Sequence, residues 1–101
     1  MTEEALPEID TLIHEPARLR PLTLLAAVDR ADFVWLLARS GLSKGNLSTQ
    51  MARLREAGIV TIRKEFRDGR PRTTYRLTAR GVRSLKRYRA AMLEILDALP
   101  R

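Results

Sequence analysis

The sequence predicts a mostly helical α+β domain, in which short helices precede a two-stranded hairpin and a long C-terminal helix. A helix over Ser43–Ala57 carries signals at both ends, an Asp68-Gly69 pair separates two β-prone stretches, and apolar residues recur at helical spacing after Thr78. A chain of 101 residues supports one hydrophobic core and leaves little for a second, so residues 1–101 are expected to form a single domain.

Composition and charge narrow the class of partner. The 19 Lys and Arg residues against 12 Asp and Glu give a formal net charge of +7, which favours nucleic acid or an anionic membrane surface. No apolar run approaches the roughly 20 residues of a membrane span, and the acidic start is unlike a signal peptide. Cysteine is absent, which excludes disulfides and thiolate metal sites. We therefore expect a cytoplasmic protein without a membrane partner.

The N-terminal half contains several helix signals. Pro7 predicts a short helix within residues 1–15, with an apolar face formed by Ile9, Leu12 and Ile13. Pro16 predicts the start of the next helix, and Pro21 within it predicts either a kink or a later start. Asp32 is a suitable N-cap for a further helix that Gly41 ends. The residues around Asp32 also suit a very short strand that pairs with the hairpin.

The Ser43–Ala57 helix has the clearest boundaries. Ser43 is a good N-cap, and Gly58 supplies the C-terminal stop. Leu47, Met51 and Leu54 repeat at helical spacing and face the core. The opposite face is small or polar, as a helix that reads base edges in a groove requires. Its members are Gly45, Thr49, Ala52 and Arg53, flanked by Asn46 and Ser48. Gln50 lies nearer the core side, and Lys44 at the start of the helix suits a phosphate. An ordinary solvated helix face is the competing interpretation.

A basic hairpin is predicted directly downstream. Residues 60–66 alternate like a half-buried strand, with Val60, Ile62 and Phe66 facing inward and Lys64 interrupting the pattern. Asp68-Gly69 is a strong tight-turn signal. The returning strand is expected to face inward through Thr73, Tyr75 and Leu77, and the tip presents Arg67, Arg70 and Arg72. Arginines at such a tip suit phosphates, whose neutralisation makes binding salt-dependent.

The last helix is predicted to begin after Thr78 and to form an association surface. Gly81 lies in its first turn, where a side chain is expected to collide with the hairpin. The apolar residues beyond it follow heptad spacing. The predicted interface comprises Leu85, Tyr88, Met92, Ile95 and Leu99. The partner helix is either within this chain or, as we favour, in a second copy.

Four segments together resemble the winged helix-turn-helix transcriptional regulators of the MarR and ArsR type. They are LIHEPARL (residues 12–19), GLSKGNLS (41–48), LREAGIV (54–60) and TYRLTARG (74–81). The resemblance spans roughly residues 10–97. It implies a homodimer on double-stranded DNA, with the Ser43–Ala57 helix in the major groove and the 67–72 wing on the backbone or minor groove. The implied DNA-binding residues are Ser43, Lys44, Asn46, Ser48, Thr49, Gln50, Arg53, Arg67, Arg70 and Arg72.

The sequence thus favours a sequence-specific DNA-binding regulator, most simply a dimeric repressor. The alternative is a protein-interaction module that keeps the winged-helix fold without specific DNA binding. An enzyme is not expected, because His14 is the sole histidine and no carboxylate pair accompanies a nucleophile. No cofactor or metal is expected, and the cysteine-dependent metal site of many ArsR proteins is excluded. A small-molecule effector between two copies, near Trp35 or Tyr88, has no motif behind it.

Overall fold

A computed structural model describes residues 5–101. Within these residues, four helices and a three-stranded antiparallel sheet form the α+β architecture that the sequence predicts. In chain order the elements are α1 (Pro16–Ala26), β1 (Ala31–Asp32), α2 (Phe33–Ser40), α3 (Lys44–Glu56), β2 (Val60–Arg67), β3 (Arg70–Leu77) and α4 (Ala79–Asp97). The strand order is β1-β3-β2, so the short first strand lies against the returning strand of the hairpin.

The N-terminal segment differs from the prediction. Residues 11–13 form a single turn, so the short helix expected from Pro7 is wrong for the part of the chain described. The Asp10 side chain explains the turn: its Oδ1 accepts from the Leu12 amide at 2.9 Å, while its carbonyl accepts from the His14 amide at 2.8 Å. An aspartate that bonds the backbone two residues on favours a turn over a continuing helix.

Helix α1 begins at Pro16 as predicted and continues through Pro21 to Ala26, so the alternative of a later start is wrong. The Glu15 carboxylate caps its first turn by accepting from the Ala17 amide at 3.3 Å. Pro21 lacks the amide that would bond to the previous turn, but its ring is buried. Burial of this apolar ring in the core offsets part of the missing hydrogen bond.

The predicted ends of α2 and α3 are confirmed. Asp32 and Ser43 accept hydrogen bonds from the amides three residues on, at 2.8 and 3.1 Å, and Gly41 takes a φ of 74° between the helices. At the end of α3, the Gly58 amide donates to the Arg55 carbonyl and the Ile59 amide to the Leu54 carbonyl, both at 2.9 Å. This paired ending is a Schellman motif, with Gly58 at a φ of 78°.

The hairpin has the predicted turn. Asp68 and Gly69 have φ values of 53° and 74°, the left-handed pair that a type I′ turn requires. Phe66 departs from the prediction of an inward face, because it is 78% exposed. The register explains why: Phe66 pairs with Pro71 near the tip, beyond the part of the sheet that the helices cover.

The core lies between α1, α2, α3 and the base of the sheet. It comprises Ile13, Leu22, Leu25, Ala31, Leu36, Leu47, Met51, Leu54, Ile59, Val60, Tyr75 and Tyr88. Burial raises the pKa of the Tyr75 phenol, so the ring stays neutral where it packs behind α3. Helix α4 starts at the predicted cap, where Thr78 Oγ1 accepts from the Gly81 amide at 2.9 Å.

Candidate nucleic-acid interface

The outer face of α3 is open to solvent. Leu47, Met51 and Leu54 are fully buried on the opposite side and fix the rotation of the helix. The sequence-predicted groove residues are therefore presented outward: Ser43, Lys44, Asn46, Ser48, Thr49 and Arg53 are exposed, and Gln50 is half-buried. The Ser43 hydroxyl is engaged as the N-cap, so it accepts from the Asn46 amide rather than pointing freely outward.

Gly45 contributes no side chain to the first turn of the outer face of α3. A Cβ atom built at Gly45 meets no heavy atom within 4 Å, so the fold itself does not require glycine there. Glycine in a helix costs roughly 1 kcal/mol relative to alanine. Gly45 therefore lowers helix stability although no packing contact requires it. A glycine at such a position is expected where another molecule approaches the backbone closely.

The wing arginines fall into two groups. Arg72 is held in an ion pair with Asp32, whose Oδ2 lies 2.7 Å from the guanidinium, and the Arg72 side chain is 35% exposed. The other oxygen of Asp32 caps α2, so this one carboxylate ties the wing to the helix-turn-helix. Arg67 and Arg70 flank the turn, are exposed, and form no ion pair with residues 5–101.

A groove of about 360 Å³ joins the wing to α3. On the helix side it is lined by Ser48, Ala52 and Arg55, and on the hairpin side Lys64 and Thr73 stand opposite. Sequence reasoning did not include Arg55 and Lys64 among the candidate DNA-binding residues. Lys64 did give a signal, because a lysine at an inward position of an alternating strand marks where that strand leaves the core.

A second basic depression lies at the tip of the wing. It is bounded by Arg67, Asp68, Arg70 and Arg72, with Asp32 at its base. The tip arginines are on a rigid frame, because β2 and β3 pair without interruption from Val60 to Arg67. Because the backbone is already ordered, an arginine that docks on a phosphate from this frame loses mainly side-chain conformational entropy.

Helix α4 carries apolar residues on two adjoining faces. Tyr88 belongs to the core at 9% exposure, and its Oη lies 2.9 Å from His14 Nδ1. Leu85, Met92 and Ile95 are half-buried, whereas Leu99 is 54% exposed. Three further exposed apolar residues, absent from the predicted interface, lie beside them: Val82, Leu93 and Leu96.

Trp35, a candidate effector contact on sequence grounds, is half-buried in α2. The Arg39 guanidinium lies 4.3 Å from its ring centroid, in cation–π contact. Trp35 and Tyr88 therefore both have partners within the chain. In residues 5–101, no helix combines the length and the apolar character that crossing a membrane demands.

Two helices in tandem, the second with a solvent-exposed polar face, and a basic hairpin define a winged helix-turn-helix. A model of the winged helix DNA-binding domain family matches residues 17–96. The chain belongs to this family, and its relatives point to transcription regulation rather than to an enzyme.

Solved structures of regulators share the fold. A transcriptional regulator homologue from Pyrococcus horikoshii OT3 aligns with a TM-score of 0.82 and 28% identity over 89% of each chain. Rv0081 of Mycobacterium tuberculosis aligns with a TM-score of 0.69 and 32% identity, over 85% of this chain and 83% of that one. An uncharacterized protein of Methanocaldococcus jannaschii is 27% identical over 84 residues, 83% of this chain and 91% of the relative. The family model and the two solved structures above confirm the resemblance to winged helix-turn-helix transcriptional regulators. A MarR-family regulator from Silicibacter pomeroyi, at 18% identity and a TM-score of 0.67, shares the fold.

Proposed function

We propose that this protein is a sequence-specific DNA-binding transcriptional regulator that acts in the cytoplasm as a homodimeric repressor. Helix α3 enters the major groove, and the wing tip contacts the backbone or the minor groove. Occupation of a promoter by the dimer excludes other proteins from it, and this steric effect is the simplest route to repression.

The observation that carries the proposal is the groove that joins α3 to the wing. The channel between α3 and the hairpin has one basic residue on each wall, Arg55 on the helix and Lys64 on the hairpin, and its lining also includes Phe33, Ile62 and Tyr75. A phosphate strand lying in this channel would have base edges on the α3 side and the next groove on the wing side. The net charge of +7 adds long-range attraction to such a partner.

The dimer is proposed to form through α4. Leu93 and Leu96 in the second half of this helix, and Leu99 two residues beyond its end, are each 50–55% exposed. Burying such side chains against those of a second copy contributes roughly 25 cal/mol for each Å² of apolar surface removed from water. The half-buried residues of the predicted interface lie next to these exposed leucines. Both groups of residues would therefore lie in the same dimer contact.

Selection of bound fragments from genomic DNA tests both the sequence-specific binding and the dimer. We expect the wild-type protein to recover sites with two inverted half-sites whose centres lie about one helical turn, roughly 10 base pairs, or a multiple of it apart. The paired substitution Leu93→Asp with Leu96→Asp should give a monomer in sedimentation and should recover single half-sites. Ala90→Asp, on the polar side of α4, serves as the matched control and should stay dimeric.

Two results would contradict the proposal. Recovery of fragments without any shared sequence would leave only non-specific binding. No binding to any duplex at low salt would instead favour the interaction-module alternative, in which the basic surface serves solubility and α4 docks a protein.

A further inference from the structure

Arg18 of α1 is linked to the reading face of α3 by a chain of side-chain hydrogen bonds. Its Nη1 donates to Gln50 Oε1 at 3.0 Å, and Gln50 Nε2 donates to Asn46 Oδ1 at 2.9 Å. The guanidinium is itself held from behind, because Nε donates to the Leu12 carbonyl and Nη2 to the Thr11 carbonyl at 3.4 Å. Arg18 and Gln50 are half-buried, whereas Asn46 is exposed.

The direction of this chain is chemically fixed. A guanidinium has five N–H donors and no acceptor, so only the oxygen of the Gln50 amide can face Arg18. The Gln50 amino group must then point toward Asn46, and the oxygen of Asn46 must point back toward Gln50. An amide on its own could turn over at little cost, but here a flip would place N–H groups against N–H groups.

Most of the hydrogen-bonding capacity left at the end of the chain is that of donors. Asn46 retains both hydrogens of Nδ2, and Gln50 retains one hydrogen of Nε2, while each amide oxygen already accepts one bond and keeps a single lone pair. Arg53 lies seven residues after Asn46, two turns along the same side of α3, and adds donors to this exposed face. This part of α3 is therefore matched to acceptor atoms on a base edge.

We propose that Arg18 is a positioning residue that sets base specificity, by orienting the Gln50 and Asn46 amides so that Asn46 presents its donors to guanine. Guanine offers two adjacent acceptors in the major groove, N7 and O6, whereas adenine offers one acceptor beside a donor. An asparagine free to turn favours adenine, because its oxygen accepts from N6 while its nitrogen donates to N7. The inference rests on the proposed DNA-binding function and names the base that one part of α3 reads.

The test uses a panel of duplexes built from a selected site, with each base pair varied in turn, and binding followed by fluorescence anisotropy. The Asn46→Ala variant identifies the base pair that Asn46 contacts, because the preference for one base at that pair should disappear. At that position the wild-type protein should favour guanine over adenine by about tenfold. Gln50→Met keeps the side-chain length but removes the relay, that is, the hydrogen bonds from Arg18 through Gln50 to Asn46. The guanine-to-adenine ratio should then fall to about one or reverse toward adenine.

Control variants separate positioning from folding. Gln50→Met leaves the bonds from Arg18 to Thr11 and Leu12 in place, so its urea midpoint should match that of the wild type. Arg18→Met should change the same base ratio as Gln50→Met. Glu56→Gln, at the exposed last residue of α3 and outside both the relay and the candidate DNA-binding residues, should leave that ratio at the wild-type value.

The outcomes distinguish the relay from the DNA-binding function beneath it. An unchanged guanine-to-adenine ratio in Gln50→Met, or a wild-type preference for adenine, overturns the relay and leaves the DNA-binding function standing. The relay is also overturned if the Asn46→Ala variant has the same base preferences as the wild type at every position of the site. Failure of the wild-type protein to bind any duplex at low salt removes the proposed function, and the relay with it.

Discussion

Gly81→Ala should lower the free energy of unfolding by about 3 kcal/mol. A Cβ atom at this position would lie 2.2 Å from the Ile59 carbonyl oxygen and 3.1 Å from its carbon, inside van der Waals contact. The oxygen belongs to the backbone at the junction of α3 and β2, so a side-chain rotation cannot relieve the clash.

The junction resists adjustment because Thr78 also holds it. The Thr78 amide and hydroxyl both donate to the Ile59 carbonyl, at 3.0 and 3.1 Å, and the hydroxyl donates to the Gly58 carbonyl at 2.6 Å. Moving α4 away to admit a methyl group would stretch these bonds and the N-cap together. The clash should therefore appear as reduced stability in urea denaturation, with a lower midpoint and an unchanged slope.

Gly45→Ala is the matched control, since Gly45 also lies in the first turn of a helix but has open space around it. It should raise the free energy of unfolding by up to about 1 kcal/mol. The same substitution should weaken DNA binding, because the added methyl group stands on the groove-facing side. Equal stability changes at Gly81 and Gly45 would contradict the packing argument.

The second large effect is expected at the tip of the wing. Replacing Arg67 and Arg70 by alanine should reduce affinity for every duplex, on the order of tenfold for each arginine that contacts a phosphate. The slope of log K against log salt should become shallower by about 0.9 for each phosphate that the variant no longer neutralises. Stability should change little, because both side chains are exposed and unpaired within residues 5–101.

Two controls make the result specific to the tip. Arg89→Ala, on α4, with Arg101→Ala, four residues beyond its end, removes the same number of charges, from +7 to +5, outside the wing and should leave the slope nearly unchanged. Arg72→Ala should lower stability as well as affinity, because it leaves the Asp32 carboxylate without its partner. Identical slopes for the tip variant and the α4 variant would mean that only net charge matters.

Short-range signals account for the parts of the fold that were predicted. Ser43, Asp32 and Thr78 act as caps through atoms three residues away, and the Asp68-Gly69 turn is fixed by its own φ values. Such features depend on neighbours in the chain and so can be read from a sequence. The Pro7 helix was wrong because Asp10 satisfies the local amides in a turn instead.

Long-range pairings account for what could not be predicted. Arg72 meets Asp32 across 40 positions, and Arg18 meets Gln50 across 32. Neither pair follows a periodic pattern, so both depend on how the completed fold sets β3 beside α2 and α1 beside α3. For this reason the sequence grouped Arg72 with the free tip arginines, whereas its side chain is half-buried and paired with Asp32.

The most direct test of the central claim places a single photo-crosslinker on the outer face of α3. Because the chain has no native cysteine, Thr49→Cys provides a unique attachment point, and Ala98→Cys near the end of α4 provides the comparison. We expect efficient crosslinks from position 49 to the major-groove edges of bases in duplex DNA, decreasing as salt is raised, and few from position 98. Crosslinks from position 98 but not from position 49 would contradict the account, because the duplex would then lie away from the exposed face of α3.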